Sequence, residues 1–91
     1  MEIEYYNTNI NNIIIDIRSS IDYEKYHLYN SINIPRKKLL ERPEEYLNKE
    51  KEVYLLCDKG KVSKSCSNIL NALGYKCISI IGGIDKIKND I

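Results

Sequence analysis

Val53-Tyr54-Leu55-Leu56-Cys57-Asp58-Lys59-Gly60-Lys61-Val62-Ser63 is the stretch that decides how this chain folds. Four apolar residues run without interruption into Cys57, the pattern of a strand buried on both faces of a parallel sheet. A short polar segment with one glycine follows, and a helical pattern starts near Val62. The cysteine thus stands at a strand-to-helix turn, at the carboxyl end of a strand, where open parallel sheets bind their ligands. Gly60 gives the turn the freedom to aim successive N–H groups inward as an anion nest. Those amides, the start of the next helix and the charges of Lys59 and Lys61 would all stabilise a thiolate. On spacing alone, the same letters also fit a small hydrophobe finishing a core strand.

Downstream, Val62, Cys66, Ile69, Leu70 and Leu73 recur at helical spacing up to Gly74, a natural stop. Tyr75-Lys76-Cys77-Ile78-Ser79-Ile80-Ile81 reads as a final strand. Gly82-Gly83 breaks it, and Ile84-Asp85-Lys86-Ile87-Lys88 forms a last helical turn or two. Upstream, Ile13-Ile14-Ile15-Asp16-Ile17 is a near-continuous β-branched run, again suited to a buried parallel strand. Ser19-Ser20 offers an N-cap for a short helix through Ile21, Tyr23, Tyr26 and His27. Ser31-Ile32-Asn33-Ile34 is a brief strand closed by Pro35. Arg36-Lys37-Lys38-Leu39-Leu40-Glu41 and Pro43-Glu44-Glu45-Tyr46-Leu47 are two short helical pieces, with Pro43 in a first-turn position. Ile3-Glu4-Tyr5-Tyr6 reads as a first strand, before a turn-rich segment from Asn7 to Asn12. Strands alternating with helices predict an α/β layered fold around a mainly parallel sheet.

The length of 91 residues predicts one domain over 1–91. A hydrophobic share of 43% beside 30% charged residues is that of a globular chain rather than a disordered one. Fourteen basic against thirteen acidic side chains leave a net charge of +1, no global field for nucleic acid or an anionic membrane. No apolar run approaches the roughly 20 residues of a membrane span. The N-terminal Met1-Glu2-Ile3-Glu4 has no basic n-region, so a cytoplasmic, reducing setting is expected. The three cysteines, Cys57, Cys66 and Cys77, lack the close pairing of zinc or dithiol sites. With His27 the only histidine, neither a metal nor another cofactor is expected.

Four blocks taken together narrow the reading. They are Ile15-Asp16-Ile17-Arg18-Ser19, the segment from Asp22 through His27 to Pro35, Cys57-Asp58-Lys59-Gly60-Lys61-Val62-Ser63, and Gly82-Gly83-Ile84. In order and spacing the chain resembles a single-domain rhodanese. The resemblance implies a rhodanese-like three-layer domain, a five-stranded sheet flanked by helices. It also implies that the thiolate of Cys57 attacks the outer sulfur of a donor such as thiosulfate and holds it as a persulfide. A nucleophilic acceptor, such as a thiol, a cyanide-like anion or a sulfur-relay protein, would then remove it. Asp58, Lys59, Gly60, Lys61, Val62 and Ser63 would form the anion loop that binds the donor. Asp16 and Arg18 match an acid-any-Arg motif and read as a structural pair behind that loop.

Three positions depart from the family pattern. Asn30-Ser31 stands where Gly-Ala is usual, Ile87 replaces an aromatic, and Asp58 replaces a basic or neutral residue beside the cysteine. A carboxylate at Asp58 opposes thiosulfate and disfavours the thiolate unless it points away or pairs with Lys59 or Lys61. His27 reads as a satisfied, partly buried imidazole. Cys66 reads as core on the helix face of Val62 and Ile69, with a resolving thiol as the sharper alternative. Cys77 reads as a core-strand residue, and Arg36-Lys37-Lys38 as a solvated helix face. A cysteine phosphatase would need an arginine where Ser63 stands and a histidine where Leu56 stands. A non-catalytic interaction module is the other alternative, against which the presence of Cys57 and Gly60 argues.

Overall fold

The structure, a computed structural model, describes residues 1–90. Five strands, β1 (Glu2–Ile3), β2 (Ile13–Asp16), β3 (Ser31–Asn33), β4 (Glu52–Leu56) and β5 (Lys76–Ile80), form one sheet in the order β1-β5-β4-β2-β3. Every pairing in it is parallel. The central strand β4 aligns Leu55 with Ile15 of β2 and with Ser79 of β5. The helices are α1 (Ser20–Lys25), α2 (Arg36–Glu41), α3 (Lys61–Ala72) and α4 (Gly83–Asn89). Short 3-10 turns occupy Tyr5–Asn7 and Pro43–Glu45.

Each central strand buries both of its faces, which is why β2 and β4 read as near-continuous apolar runs. Ile15, Ile17, Val53, Leu55, Cys57 and Cys77 pack with Leu39 of α2 and with Cys66 and Leu70 of α3. The alternate residues Ile14, Tyr54, Leu56, Ile78 and Ile80 pack with Leu28 and with Ile84 and Ile87 of α4. The result is a three-layer α/β sandwich. Leu55, fully buried in its centre, contributes about 2 kcal/mol by leaving water. Ile87, in the position where an aromatic was expected, fills the second cluster at 5% exposure.

Three expectations are corrected. The first strand pairs with β5 only through Glu2 and Ile3. Beyond it, Tyr5–Asn7 closes into a turn whose Tyr5 carbonyl accepts the Thr8 hydroxyl at 2.6 Å, the local bonding that Thr and Asn offer against a sheet ladder. On α3 the buried residues are Ser63, Cys66, Ser67 and Leu70. Val62, Ile69 and Leu73 are 48%, 46% and 53% exposed. Hydrophobicity misplaced this face because small hydroxyl side chains line the side of the helix that meets the sheet. Cys66 is nevertheless in the core, as expected. His27 is exposed rather than partly buried. Its ring stacks on Tyr23 with centroids 3.8 Å apart, and Nδ1 lies 2.6 Å from the Tyr23 carbonyl oxygen.

Other local readings hold. The Ser19 side chain caps α1 by accepting from the Asp22 amide, Pro43 opens its 3-10 turn, and Arg36, Lys37 and Lys38 are exposed. Among the described residues no helix is long and apolar enough to cross a membrane.

Candidate active site

The chain leaves β4 at Leu56, whose carbonyl accepts from the Ile17 amide at 2.9 Å. Cys57 follows at 4% exposure. Gly60 bends the loop back with φ of 94°, a conformation that favours glycine. A side chain there would come within 2.8 Å of the Gly82 amide nitrogen. The bend delivers the Gly60 N–H to Cys57 Sγ at 3.1 Å. The Ser63 N–H, in the first turn of α3, reaches the same sulfur at 3.2 Å. First-turn amides have no partner inside their own helix, so the sulfur satisfies one of them. Ser63 Oγ completes the cradle 3.2 Å from Sγ.

The loop is clamped from the opposite side by α4. The Ile84 N–H donates to the Cys57 carbonyl at 2.9 Å, and the Asp85 N–H to the Asp58 carbonyl at 3.0 Å. Gly83, with φ of 62°, packs directly against these two carbonyls, leaving no space for a Cβ.

Arg18 is fixed by Asp16, which is fully buried. Arg18 Nη2 donates to Asp16 Oδ2 at 2.8 Å and Nε to Oδ1 at 3.0 Å, the fork geometry that makes such pairs strong. Nη2 also donates to the Tyr26 carbonyl at 2.6 Å. Asn33 Nδ2 donates to the Asp16 and Arg18 carbonyls, both at 3.0 Å. The hydrogen bond to Asp16 raises the guanidinium pKa above its already high ordinary value. The free end of Arg18, Nη1, lies 3.8 Å from the Asp58 carboxylate. Asp58 thus pairs with Arg18, a third arrangement beside the two the sequence left open, pointing away or pairing with Lys59 or Lys61. Its side chain remains 61% exposed.

A cavity of about 330 Å³ opens over the sulfur, lined by Ile17, Arg18, Cys57, Asp58, Lys59, Lys61 and Val62. The structure therefore gathers every residue of the expected loop. Gly60 and Ser63 lie under the sulfur, and Asp16 stands behind Arg18. Arg18 does more than hold the loop, since it also forms part of the cavity wall. Two residues were missed, Ile17 in the wall and Ser79, whose Oγ lies 2.6 Å from Ser63 Oγ. The sequence signal for Ser79 was a lone hydroxyl between Ile78 and Ile80 in a strand otherwise apolar and buried after Lys76.

The other thiols are set apart by their surroundings. Burial pushes the Cys66 thiol up to about 11 against the opposing influence of Arg36, and burial pushes Cys77 up to about 12. Both are protonated near neutrality. Among the described residues no group of three or more His, Cys, Asp or Glu side chains could hold a metal ion.

The family model of the Rhodanese-like domain matches residues 3–90. The chain belongs to the rhodanese-like family. This rhodanese-like chain is 35% identical over 77 residues to thiosulfate sulfurtransferase GlpE of Coxiella burnetii, an overlap covering 84% of this chain and 71% of that protein. It is 33% identical over 79 residues to the adenylyltransferase and sulfurtransferase uba4 of Ogataea parapolymorpha, covering 86% of this chain. There the chain spans only 20% of the relative's length. Among solved structures, a rhodanese-related protein of Thermoplasma volcanium superposes with a TM-score of 0.79 at 26% identity, covering 87% of this chain and 78% of that one. Fold and family thus agree with the rhodanese-like architecture of the sheet.

Proposed function

We propose that this rhodanese-like chain is a sulfurtransferase that carries sulfane sulfur as a persulfide on Cys57. The observation that carries the reading is the surroundings of Sγ, which meets two backbone N–H groups and the Ser63 hydroxyl at the floor of an open cavity. Preorganised donors of this kind stabilise an anion without reorganising when it forms. The Cys57 thiolate attacks the outer sulfur of the donor. With thiosulfate, the donor's S–S bond breaks, sulfite leaves with the bonding pair, and the enzyme keeps a Cys57 persulfide anion. An acceptor nucleophile then attacks the outer sulfur and Cys57 departs as thiolate, which closes a double displacement. Lys59, Lys61 and Arg18 supply positive charge around the incoming anion, and Val62 and Ile17 supply the apolar wall. A reducing compartment such as the cytoplasm keeps Cys57 available for the cycle.

Asp58 shapes the choice of donor. A carboxylate at the cavity wall repels dianionic thiosulfate and offsets part of the charge of Arg18. A low-molecular-weight or protein persulfide is therefore the better donor in this reading. Names such as uba4's, which joins an adenylyltransferase to a sulfurtransferase, support a place in sulfur relay. Intact-mass spectrometry after exposure to thiosulfate or to a persulfide donor tests the proposal. One sulfur should be gained on the wild type and none on Cys57→Ser. No gain with either donor overturns it in favour of an interaction module.

A further inference from the structure

Ser63 and Ser79 are both fully buried, and their Oγ atoms lie 2.6 Å apart. At that separation one hydroxyl donates to the other. Each also lies near the Gly60 carbonyl, Ser63 Oγ at 3.3 Å and Ser79 Oγ at 3.4 Å. Ser63 Oγ in addition lies 3.2 Å from Cys57 Sγ. The hydroxyl protons and these acceptors admit two consistent arrangements. With Cys57 as a thiol, its S–H donates to Ser63, Ser63 donates to Ser79, and Ser79 donates to the Gly60 carbonyl. With Cys57 as a thiolate the direction reverses, so that Ser79 donates to Ser63 and Ser63 to the sulfur. The thiol proton leaves to water through the cavity, and the hydroxyl protons only turn about their C–O bonds.

We propose that Ser79 of β5, which lines no part of the cavity, is a positioning residue that directs the Ser63 hydroxyl onto the Cys57 sulfur anion. The inference rests on Cys57 being the nucleophile, as proposed above. Alone, Ser63 would divide its proton between the sulfur and the Gly60 carbonyl. A donor 2.6 Å behind it occupies its lone pair, polarises its O–H and turns it toward the sulfur, as linked hydrogen bonds do in a site shielded from water. In the persulfide, Sγ is bonded to the outer sulfur and carries neither charge nor proton, so the Ser63 hydroxyl is free to turn back to Ser79. When an acceptor removes the outer sulfur, the electron pair of the S–S bond returns to Sγ. Ser79 and Ser63 then stabilise the departing thiolate, and a better-stabilised thiolate leaves faster.

The test compares Ser79→Thr with Ser79→Val, side chains of similar shape that differ in the hydroxyl, by the pH profile of Cys57 alkylation with iodoacetamide. Ser79→Thr should follow the wild type. Ser79→Val should move the profile to higher pH, with alkylation about five-fold slower below the midpoint and an unchanged plateau, the effect of one lost hydrogen bond. If the larger side chains disturb β5, Ser79→Ala measured against the wild type gives the same reading. In a Ser63→Ala background, Ser79→Ala should add no further shift, because Ser79 acts through Ser63. Matching profiles for the hydroxyl and non-hydroxyl variants, or a full shift persisting without Ser63, overturns the proposal. Alkylation needs no sulfur donor, so a wild type that fails to load sulfur counts against the sulfurtransferase reading alone.

Discussion

Arg18 Nη1 stands 3.8 Å from the carboxylate of Asp58, across the wall of the cavity that Cys57 floors. Of the four charged side chains that line the cavity, these two therefore partly cancel, leaving Lys59 and Lys61. Asp58→Asn removes the repulsion and frees the guanidinium. The interaction crosses solvent, so its worth is near 1 kcal/mol rather than the larger values of a dry interior. Sulfur loading from thiosulfate should rise about five-fold at low salt, an advantage that shrinks as ionic strength increases. Loading from an alkyl persulfide, which carries one negative charge rather than two, should change less. Time-resolved mass spectrometry with both donors checks this, and equal thiosulfate rates for Asp58→Asn and wild type would sink the account of donor choice.

Asp16 is fully buried, and its role depends on its charge. Asp16→Asn leaves the Arg18 guanidinium without its buried charge partner. Removing one member of a buried, hydrogen-bonded ion pair costs about 3 kcal/mol. The urea midpoint should fall accordingly with the slope unchanged. An unfolding free energy within about 1 kcal/mol of wild type would mean that the existing pairing with Asp58 suffices to hold the guanidinium.

Ser67 carries a buried Oγ with no hydrogen-bond partner, one helical turn beyond Ser63 on the same face of α3. An unpaired buried hydroxyl is a cost, and alanine is the better helix former. Ser67→Ala should leave the protein as stable or raise its stability by about 1 kcal/mol, without altering sulfur loading. Thermal unfolding measures the first and mass spectrometry the second. A loss of stability would show that the hydroxyl does have a partner.

Alkaline pH should weaken the fold. In the unfolded chain the thiols of Cys66 and Cys77 ionise near their ordinary 9.0, whereas burial holds them at about 11 and about 12 in the native protein. Between these values the unfolded chain gives up protons that the native one retains, so stability falls as pH rises. Lys86, raised above its ordinary 10.5 by its hydrogen bond to Glu4, acts in the same direction, because its pairing is present below that value and lost above the raised one. Melting temperature should drop from pH 9 upward, less steeply in Cys66→Ala. A flat profile from pH 9 to 11 would contradict the burial of these thiols.

The sequence exposed the frame of the fold because the central strands are buried on both sides and leave a continuous apolar signature. It exposed the cysteine loop because strand end, glycine and helix start are contiguous in the chain. What it hid was carried by contacts across the fold. Arg18 and Asp58 are paired by the neighbouring positions of β2 and β4, not by local spacing. Ser63 and Ser79 meet because α3 crosses β5, and no hydropathy pattern marks a buried serine as a partner for another. The same blindness put Val62 and Leu73 in the core and left Ser67 outside it. The first strand shrank because Thr8 and the asparagines around it favour local turns over pairing at the sheet edge.

The clamp from α4 has a consequence for biosynthesis. The ribosome delivers Cys57 well before Gly83, Ile84 and Asp85, whose segment closes on the carbonyls of Cys57 and Asp58. A nascent chain paused ahead of that segment already carries Gly60 and Ser63, but lacks the two bonds that hold the carbonyls of Cys57 and Asp58. The loop beneath the cavity is therefore fastened on both sides only once α4 has docked.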